Sequence, residues 1–406
     1  MLRLSPPRTA SVRRAGPGVW VLILGLAAFG CTDDADEPAT ADSRPVTTSA
    51  PLADSLRLNE LQVVGTHNSF HKAAPPEEQE LLAALNPEEA AKRTYSHPGI
   101  ETQLVEEQVR QIELDVFADA DGGLYANPAL RGETDQELYV VDVPAMARPG
   151  TKVLHEQDVD YHSVCPTLVG CLTEVREFSD ANPDHVPIAI HIQFKDGPLI
   201  FDVPDQAVPE QWTAAAMQEM EREITSVFDR DRIITPDDVR GVRDTLEEAV
   251  LADGWPTLGA SRGKVMFLMI NPEPYRSLYL LAHPNLDGAL MFTNADPGKG
   301  DASYVSIDDP IAEGDRIAEL VDAGYLVRTR ADEPNVQSRT GDTTTRDAAL
   351  AGGAQWVSTD YPAPRPDEDG EAKVDPDYVV GLPGGHAARC NPVTAPDDCE
   401  DAGLEP

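Results

Sequence analysis

The run Gln111-Ile112-Glu113-Leu114-Asp115-Val116 sets two carboxylates two residues apart among aliphatic side chains. In an extended chain, side chains alternate with a period of two. Ile112, Leu114 and Val116 therefore share one face, and Glu113 and Asp115 the other. Two inward carboxylates side by side repel and lose hydration, which is unfavourable without a counter-charge. A hard cation such as Ca²⁺ or Mg²⁺ resolves the conflict, because both take oxygen ligands. The bland alternative is an antiparallel strand with one wet face.

Other runs end in groups that suit the same chemistry. Val63-Val64-Gly65-Thr66-His67-Asn68-Ser69-Phe70 closes with a glycine that lets the chain turn, then a histidine and an amide. Asn68 offers a neutral oxygen to a metal, and His67 a base that titrates near neutrality. Val153-Leu154-His155-Glu156 ends on a second histidine. A lone strand-end histidine is usually structural, whereas two beside a carboxylate pair suit acid–base work. In Pro187–Lys195, Ile188, Ile190 and Ile192 share one face, and His191, Gln193 and Lys195 the other. Gln193 is a further candidate oxygen ligand and Lys195 a candidate phosphate contact. His191, one step deeper, reads as a hydrogen-bonded core residue. Val327-Arg328-Thr329-Arg330 aims two guanidinium groups one way, which suits an anionic substrate; salt bridges within the protein are the alternative.

Eight strand-like runs must carry these groups: Leu61–Thr66, Gln111–Ala118, Lys152–Glu156, Pro187–Phe194, Lys264–Asn271, Ala289–Ala295, Leu326–Ala331 and Trp356–Thr359. Helical patterns separate most of them, most clearly Glu101–Val109, Thr167–Ala181, Gln211–Phe228, Asp315–Ala323 and Thr343–Ala351. Such alternation over residues 54–362 predicts an α/β fold, a (β/α)₈ barrel with its chemistry at the C-terminal strand ends. A doubly wound sheet lacks support, since no Gly-x-Gly-x-x-Gly turn follows the first strand.

Composition narrows the partners. Among 406 residues, 71 acids oppose 32 bases for a formal charge of −39, which excludes a nucleic-acid backbone binder driven by Lys and Arg. Residues 1–31 read as an export segment: Arg13 and Arg14 precede an apolar run that stops at Cys31. Leu26-Ala27-Ala28-Phe29-Gly30-Cys31 resembles a bacterial lipobox, so Cys31 is the expected lipidation site and the cell envelope the expected address. An ordinary secretory signal cut nearby is the alternative. Residues 32–53 read as a flexible acidic tether and 363–406 as an acidic, proline-rich tail. Cys165, Cys171, Cys390 and Cys399 are even in number, as suits an oxidising compartment, and allow three disulfide connectivities, of which the two local loops are simplest. A four-cysteine zinc site has no Cys-x-x-Cys pair to support it.

Together, Gly65-Thr66-His67-Asn68-Ser69-Phe70, Glu113-Leu114-Asp115 and His155 resemble the calcium-dependent phosphoinositide-specific phospholipase C family. Asp158-Val159-Asp160-Tyr161-His162-Ser163-Val164-Cys165, Cys171-Leu172 and Arg328-Thr329-Arg330-Ala331-Asp332 resemble its bacterial branch, as do Arg346–Leu350 and Val357–Pro362. The resemblance spans about residues 58–362. It implies a distorted TIM barrel, with His67 as general base, His155 as general acid, and Ca²⁺ held by Asn68, Glu113 and Asp115. Family members usually place an acidic ligand on the fourth strand, and the matching position is Gln193, which removes one negative charge from the site. The implied substrate is a phospholipid or a soluble inositol phosphodiester, opened through a cyclic phosphate. A glycerophosphodiester phosphodiesterase shares the barrel and the Glu-x-Asp pair, but normally has His-Arg where this chain has His67-Asn68. A sphingomyelinase-like lyase is a remoter option, and a non-catalytic surface lipoprotein would need neither His67 nor His155.

Overall fold

In the computed structural model, which describes residues 52–201, 203–364, 375 and 377–405, eleven strands join one sheet. They are β1 (Leu61–Thr66), β2 (Gln111–Phe117), β3 (Lys152–Val153), β4 (Ile188–Phe194), β5 (Ile233–Ile234), β6 (Val265–Met269), β7 (Met291–Phe292), β8 (Tyr304–Ser306), β9 (Leu326–Arg330), β10 (Trp356–Thr359) and β11 (Arg389–Cys390). Eight run parallel around a ring in the order β1, β2, β4, β6, β7, β8, β9, β10 and back to β1. The ring is uneven. Gly65 opposite Gln111 is the registered pair of β1 and β2, and β7 reaches β8 through the bridge Asn294–Tyr304. The fold is a distorted (β/α)₈ barrel.

Gly65 serves close approach rather than turning: a Cβ there would lie 2.2 Å from Gln111 Oε1 and 2.5 Å from the Gln111 carbonyl oxygen. The strand assignment also needs correction. Lys152–Glu156 is not a barrel strand; its extended part, β3, lies antiparallel to the end of β2, with Val153 opposite Val116. Beyond it the chain turns back, with Asp158 at φ 68° and Glu156 bridging Asp160. The vacant place in the ring belongs to β8, whose Ser303-Tyr304-Val305-Ser306 context gives little apolar run to recognise.

The flanking helices follow their caps and apolar spacing. Thr167 accepts the Gly170 N–H at the start of Leu168–Ala181, which buries Leu168, Cys171, Leu172, Val175 and Phe178. Thr213 does the same for Ala214–Val227, which buries Met217, Met220 and Ile224. These side chains cover Ile188, Ile190 and Ile192 of β4 and Ile112, Leu114 and Val116 of β2 in one core cluster. Inside the barrel, His191 packs against Tyr304 and Trp356 with ring centroids 5.4 Å and 5.2 Å away. Among the described residues neither of its ring nitrogens finds a hydrogen-bond partner, contrary to expectation, and burial first, then Arg328, push its pKa well down. His191 is a neutral aromatic filler.

The expected C-terminal tail is instead a strap where it is described. Tyr378, Val380 and Leu382 pack with Val64 of β1, Val357 of β10 and Tyr361. Further on, β11 pairs antiparallel with the start of β1, and Glu405 ion-pairs with Arg110. Acidic, proline-rich composition hid this role because the strap contributes a few well-spaced apolar residues rather than a periodic run. Disulfides join Cys165 to Cys171 and Cys390 to Cys399, the two local loops. The expected export segment with Cys31, and the tether up to residue 51, lie outside the described residues.

Candidate active site

Parallel pairing of β1 with β10 sets Thr66 beside Thr359, so the next residues, His67 and Asp360, meet at the rim. His67 Nδ1 lies 2.9 Å from Asp360 Oδ1, and an ionised carboxylate can only accept, so Nδ1 carries the proton. That leaves Nε2 as the reactive nitrogen, 3.8 Å from Glu113 Oε1. Burial raises the Asp360 carboxyl, but the charge and hydrogen bond of His67, the His97 hydrogen bond and Arg330 outweigh it and hold the group ionised.

A second dyad forms in the turn after β3. His155 Nδ1 lies 2.7 Å from Asp160 Oδ2, and the imidazole keeps about a fifth of its surface exposed, with a side-chain accessibility of 22%. Asp160 also faces His71 Nε2 at 2.9 Å and Arg93 Nε at 3.4 Å. The other His71 nitrogen lies 3.0 Å from the Tyr95 carbonyl oxygen, so both ring nitrogens face acceptors. The fully buried ring satisfies both as an imidazolium. Burial acts to lower its pKa, yet the Asp160 charge and hydrogen bond prevail and raise it. His71, His155 and Asp160 bring three donor atoms within 4.8 Å of one another, a spacing that also suits a metal. With Arg93 at hand, however, Asp160 is already balanced by cations.

The expected cation ligands gather between the dyads. Glu113 and Asp115 are buried on the inner face of β2, and Gln193 of β4 is in register with Asp115. Asn68, at φ 45°, donates from Nδ2 to the Tyr95 hydroxyl at 3.1 Å. Among the described residues its Oδ1 is buried without a hydrogen-bond partner, as is Asp115 Oδ1, while Asp115 Oδ2 has only an ion pair. Orphaned buried oxygens of this kind are expensive alone and are natural ligands for a hard cation. The residues fit calcium. Lys195 Nζ approaches Asp115 Oδ2 at 3.3 Å, so it stands as counter-charge to that carboxylate. Burial raises the Asp115 pKa, with Lys195 opposing the rise.

Arg328 departs from its expected substrate contact. It is 2% exposed and bridges Glu113 Oε2, at 2.6 Å, and Asp308. The period of two placed Arg328 and Arg330 on one face but said nothing of depth, and the deeper one is spent on the protein. Arg328→Met should leave Glu113 buried without its counter-charge. Loss of one buried partner typically costs about 3–5 kcal/mol, a Tm drop of roughly 5 °C for a chain of this size in a chelator. Added calcium should recover part of the drop. An unchanged Tm would show that Glu113 does not depend on the guanidinium.

His67, Asn68, Tyr95, His155 and Arg330 line one open cavity of about 270 Å³. Arg330 stands 3.5 Å from Asp360 Oδ2 and keeps one edge toward this space. Of the expected site residues, the structure therefore brings the two histidines, Asn68 and Arg330 to one cavity, with Glu113 beside His67, Gln193 in register with Asp115, and Lys195 against Asp115. Asp360, Asp160, His71 and Arg93 went unassigned. The usable signal was a carboxylate at the C-terminal end of the last strand and another five residues past His155.

The family model for Ca²⁺-dependent phosphoinositide phospholipase C matches residues 56–392. The chain is similar to the calcium-dependent phosphoinositol-specific phospholipase C of a Pseudomonas species, solved with myo-inositol. The identity is 14% and the TM-score 0.50, covering 84% of this chain and 97% of that one. It is also similar to the Ca²⁺-dependent phosphatidylinositol-specific phospholipase C of Streptomyces antibioticus. There the identity is 19% and the TM-score 0.48, over 76% of this chain and 95% of that one. No curated protein sequence matches. The Pseudomonas likeness supports the barrel alone, and residue roles rest on the geometry above.

Proposed function

The chain belongs to the Ca²⁺-dependent phosphoinositide phospholipase C family, phosphoric diester hydrolases with calcium as cofactor, and we propose that it splits a phosphatidylinositol through a cyclic phosphate using His67 and His155. The observation that carries the proposal is the pair of imidazoles, each with Nδ1 tied to a buried carboxylate, that open on one cavity beside Asn68, whose buried Oδ1 lacks a hydrogen-bond partner among the described residues.

In the first step His67 Nε2 takes the proton of the inositol 2-hydroxyl as its oxygen attacks phosphorus. The bond from phosphorus to the glycerol oxygen breaks, and His155 supplies that oxygen with a proton. Diacylglycerol leaves, and inositol 1,2-cyclic phosphate remains. In the second step the roles reverse: His155 takes a proton from the attacking water, and His67 returns one to the 2-oxygen. Asp360 and Asp160 keep each Nε2 aimed and stabilise the imidazolium formed in turn. When bound by Asn68, Glu113, Asp115 and Gln193, calcium supplies Lewis-acid stabilisation of the charge gathered on the phosphoryl oxygens. Arg330, on the cavity wall, adds a fixed positive charge there.

Release of phosphorylated head group from a panel of phospholipids, with ³¹P detection of the cyclic product, tests this reading. Cyclic inositol phosphate should appear first and decay to the monoester. Direct formation of the monoester would remove the ring-closing step. The chain is further proposed to act from the cell envelope, anchored through Cys31, a reading supported by the lipobox-like run and by four cysteines paired as disulfides. Acyl labelling that persists in Cys31→Ser would overturn the anchor.

A further inference from the structure

The turn that presents Asp360 is gripped from the neighbouring strand end. Asp332, two residues past β9, accepts the Asp360 N–H on Oδ1 at 3.1 Å and the Thr359 hydroxyl on Oδ2. Thr359 Oγ in turn accepts the Tyr361 N–H at 2.9 Å, so three consecutive residues after the core of β10 are tied to one carboxylate. The second oxygen of Asp332 also faces the Tyr378 hydroxyl at 3.3 Å, and that hydroxyl lies 3.4 Å from the Ala331 carbonyl oxygen. All four of Asp332, Thr359, Asp360 and Tyr378 are buried, at 2% exposure or less.

We propose that Asp332 and Tyr378 are positioning residues for His67: they clasp the turn bearing Asp360, and the C-terminal strap completes the clasp. The proposal rests on the reading of His67 as the base. A second carboxylate buried against Asp360 is an unfavourable way to hold a loop, and a neutral side chain would anchor the strap at less expense. Burial first, and the Asp360 charge second, push the Asp332 carboxyl up to about 7, so part of the repulsion within the pair is relieved by protonation. What the arrangement secures is the aim of Asp360 Oδ1 at His67 Nδ1, where small displacements lower turnover without altering substrate binding. Tyr378 reaches this point from a segment whose apolar side chains already fix it to Val64 and Val357, so the hydroxyl can be removed without releasing the strap.

Tyr378→Phe, Asp332→Asn and the packing control Leu382→Ala distinguish positioning from structure. For Tyr378→Phe and Asp332→Asn, kcat should fall about tenfold with KM unchanged, the effect of one lost hydrogen bond in an oriented network. Leu382→Ala should lower Tm and leave kcat at the wild-type value. Each substitution is repeated on His67→Ala, where the two clasp variants should produce no further loss, because residues acting as one unit are not additive. Wild-type kcat in both clasp variants overturns the proposal. So does a loss that persists undiminished on His67→Ala, since that would be general damage. Wild-type activity in His67→Ala alone would instead remove the base assignment, a failure visible before the clasp is judged.

Discussion

In excess EGTA, turnover of phosphatidylinositol should fall about 10³-fold, because a bound cation typically contributes several kcal/mol of charge stabilisation to the transition state. The atoms that suit calcium are in place: among the described residues Asn68 Oδ1 and Asp115 Oδ1 are buried without a hydrogen-bond partner, and Glu113 lies two residues from Asp115 on the same strand face. Lys195, 3.3 Å from Asp115, offsets part of that charge but leaves the amide oxygen of Asn68 unserved. A thermal readout separates binding from catalysis. A ligand present at about a hundred times its Kd adds about 2.7 kcal/mol of stability, so calcium should raise the wild-type Tm by several degrees and that of Asp115→Asn far less. Gln193 is in register with Asp115 and brings an amide where a carboxylate would add charge. Affinity in oxygen-ligand sites follows ligand charge, so Gln193→Glu should tighten calcium binding in a calorimetric titration without abolishing activity. Unchanged affinity would place Gln193 outside the ligand set. Turnover that survives EGTA, together with a Tm indifferent to calcium, would sink the whole assignment.

What could be read from the sequence divides along a physical line. Alternation within one strand is local, so the facing of Glu113 and Asp115 away from Ile112, Leu114 and Val116 was legible, and both carboxylates are buried as that pattern requires. Strand ends are local too, which brought out His67 and Asn68. Their partners were not legible. Asp360 lies 293 residues from His67 and meets it through pairing of the first and last barrel strands, and in a chain with 71 acids no single aspartate stands out. Asp160 meets His155 across a turn that depends on Asp158 at positive φ, a conformation its sequence does not announce. Depth was equally hidden: Arg328 and Arg330 alternate alike, yet two residues of extra depth bring Arg328 onto Glu113. The strand count came out at eight with one member exchanged, because β8 is three residues long and the run around β3 looks more apolar than its antiparallel fragment is extended.

His67→Ala and His155→Ala should each lower kcat by about 10²–10⁴, the usual loss on removing an acid–base group, while the protein stays folded. The two losses should differ in kind. His67 Nε2 lies 3.8 Å from Glu113 Oε1, on the side of the expected cation, where the attacking hydroxyl is activated. Its carboxylate partner Asp360 accepts from Nδ1 and leaves Nε2 free to take a proton, as a base requires. His155 Nδ1 is held by Asp160, which His71 and Arg93 also grip, so Nε2 is the nitrogen left to serve the departing oxygen. An inositol phosphodiester with a phenolate-type leaving group needs little protonation of the departing oxygen. Such a substrate should restore much of the turnover of His155→Ala and none of that of His67→Ala. Equal responses of the two variants would show that the base and acid cannot be told apart on these grounds. Rescue of His67→Ala alone would exchange the roles, placing the nucleophile beside His155 and the leaving group beside Glu113.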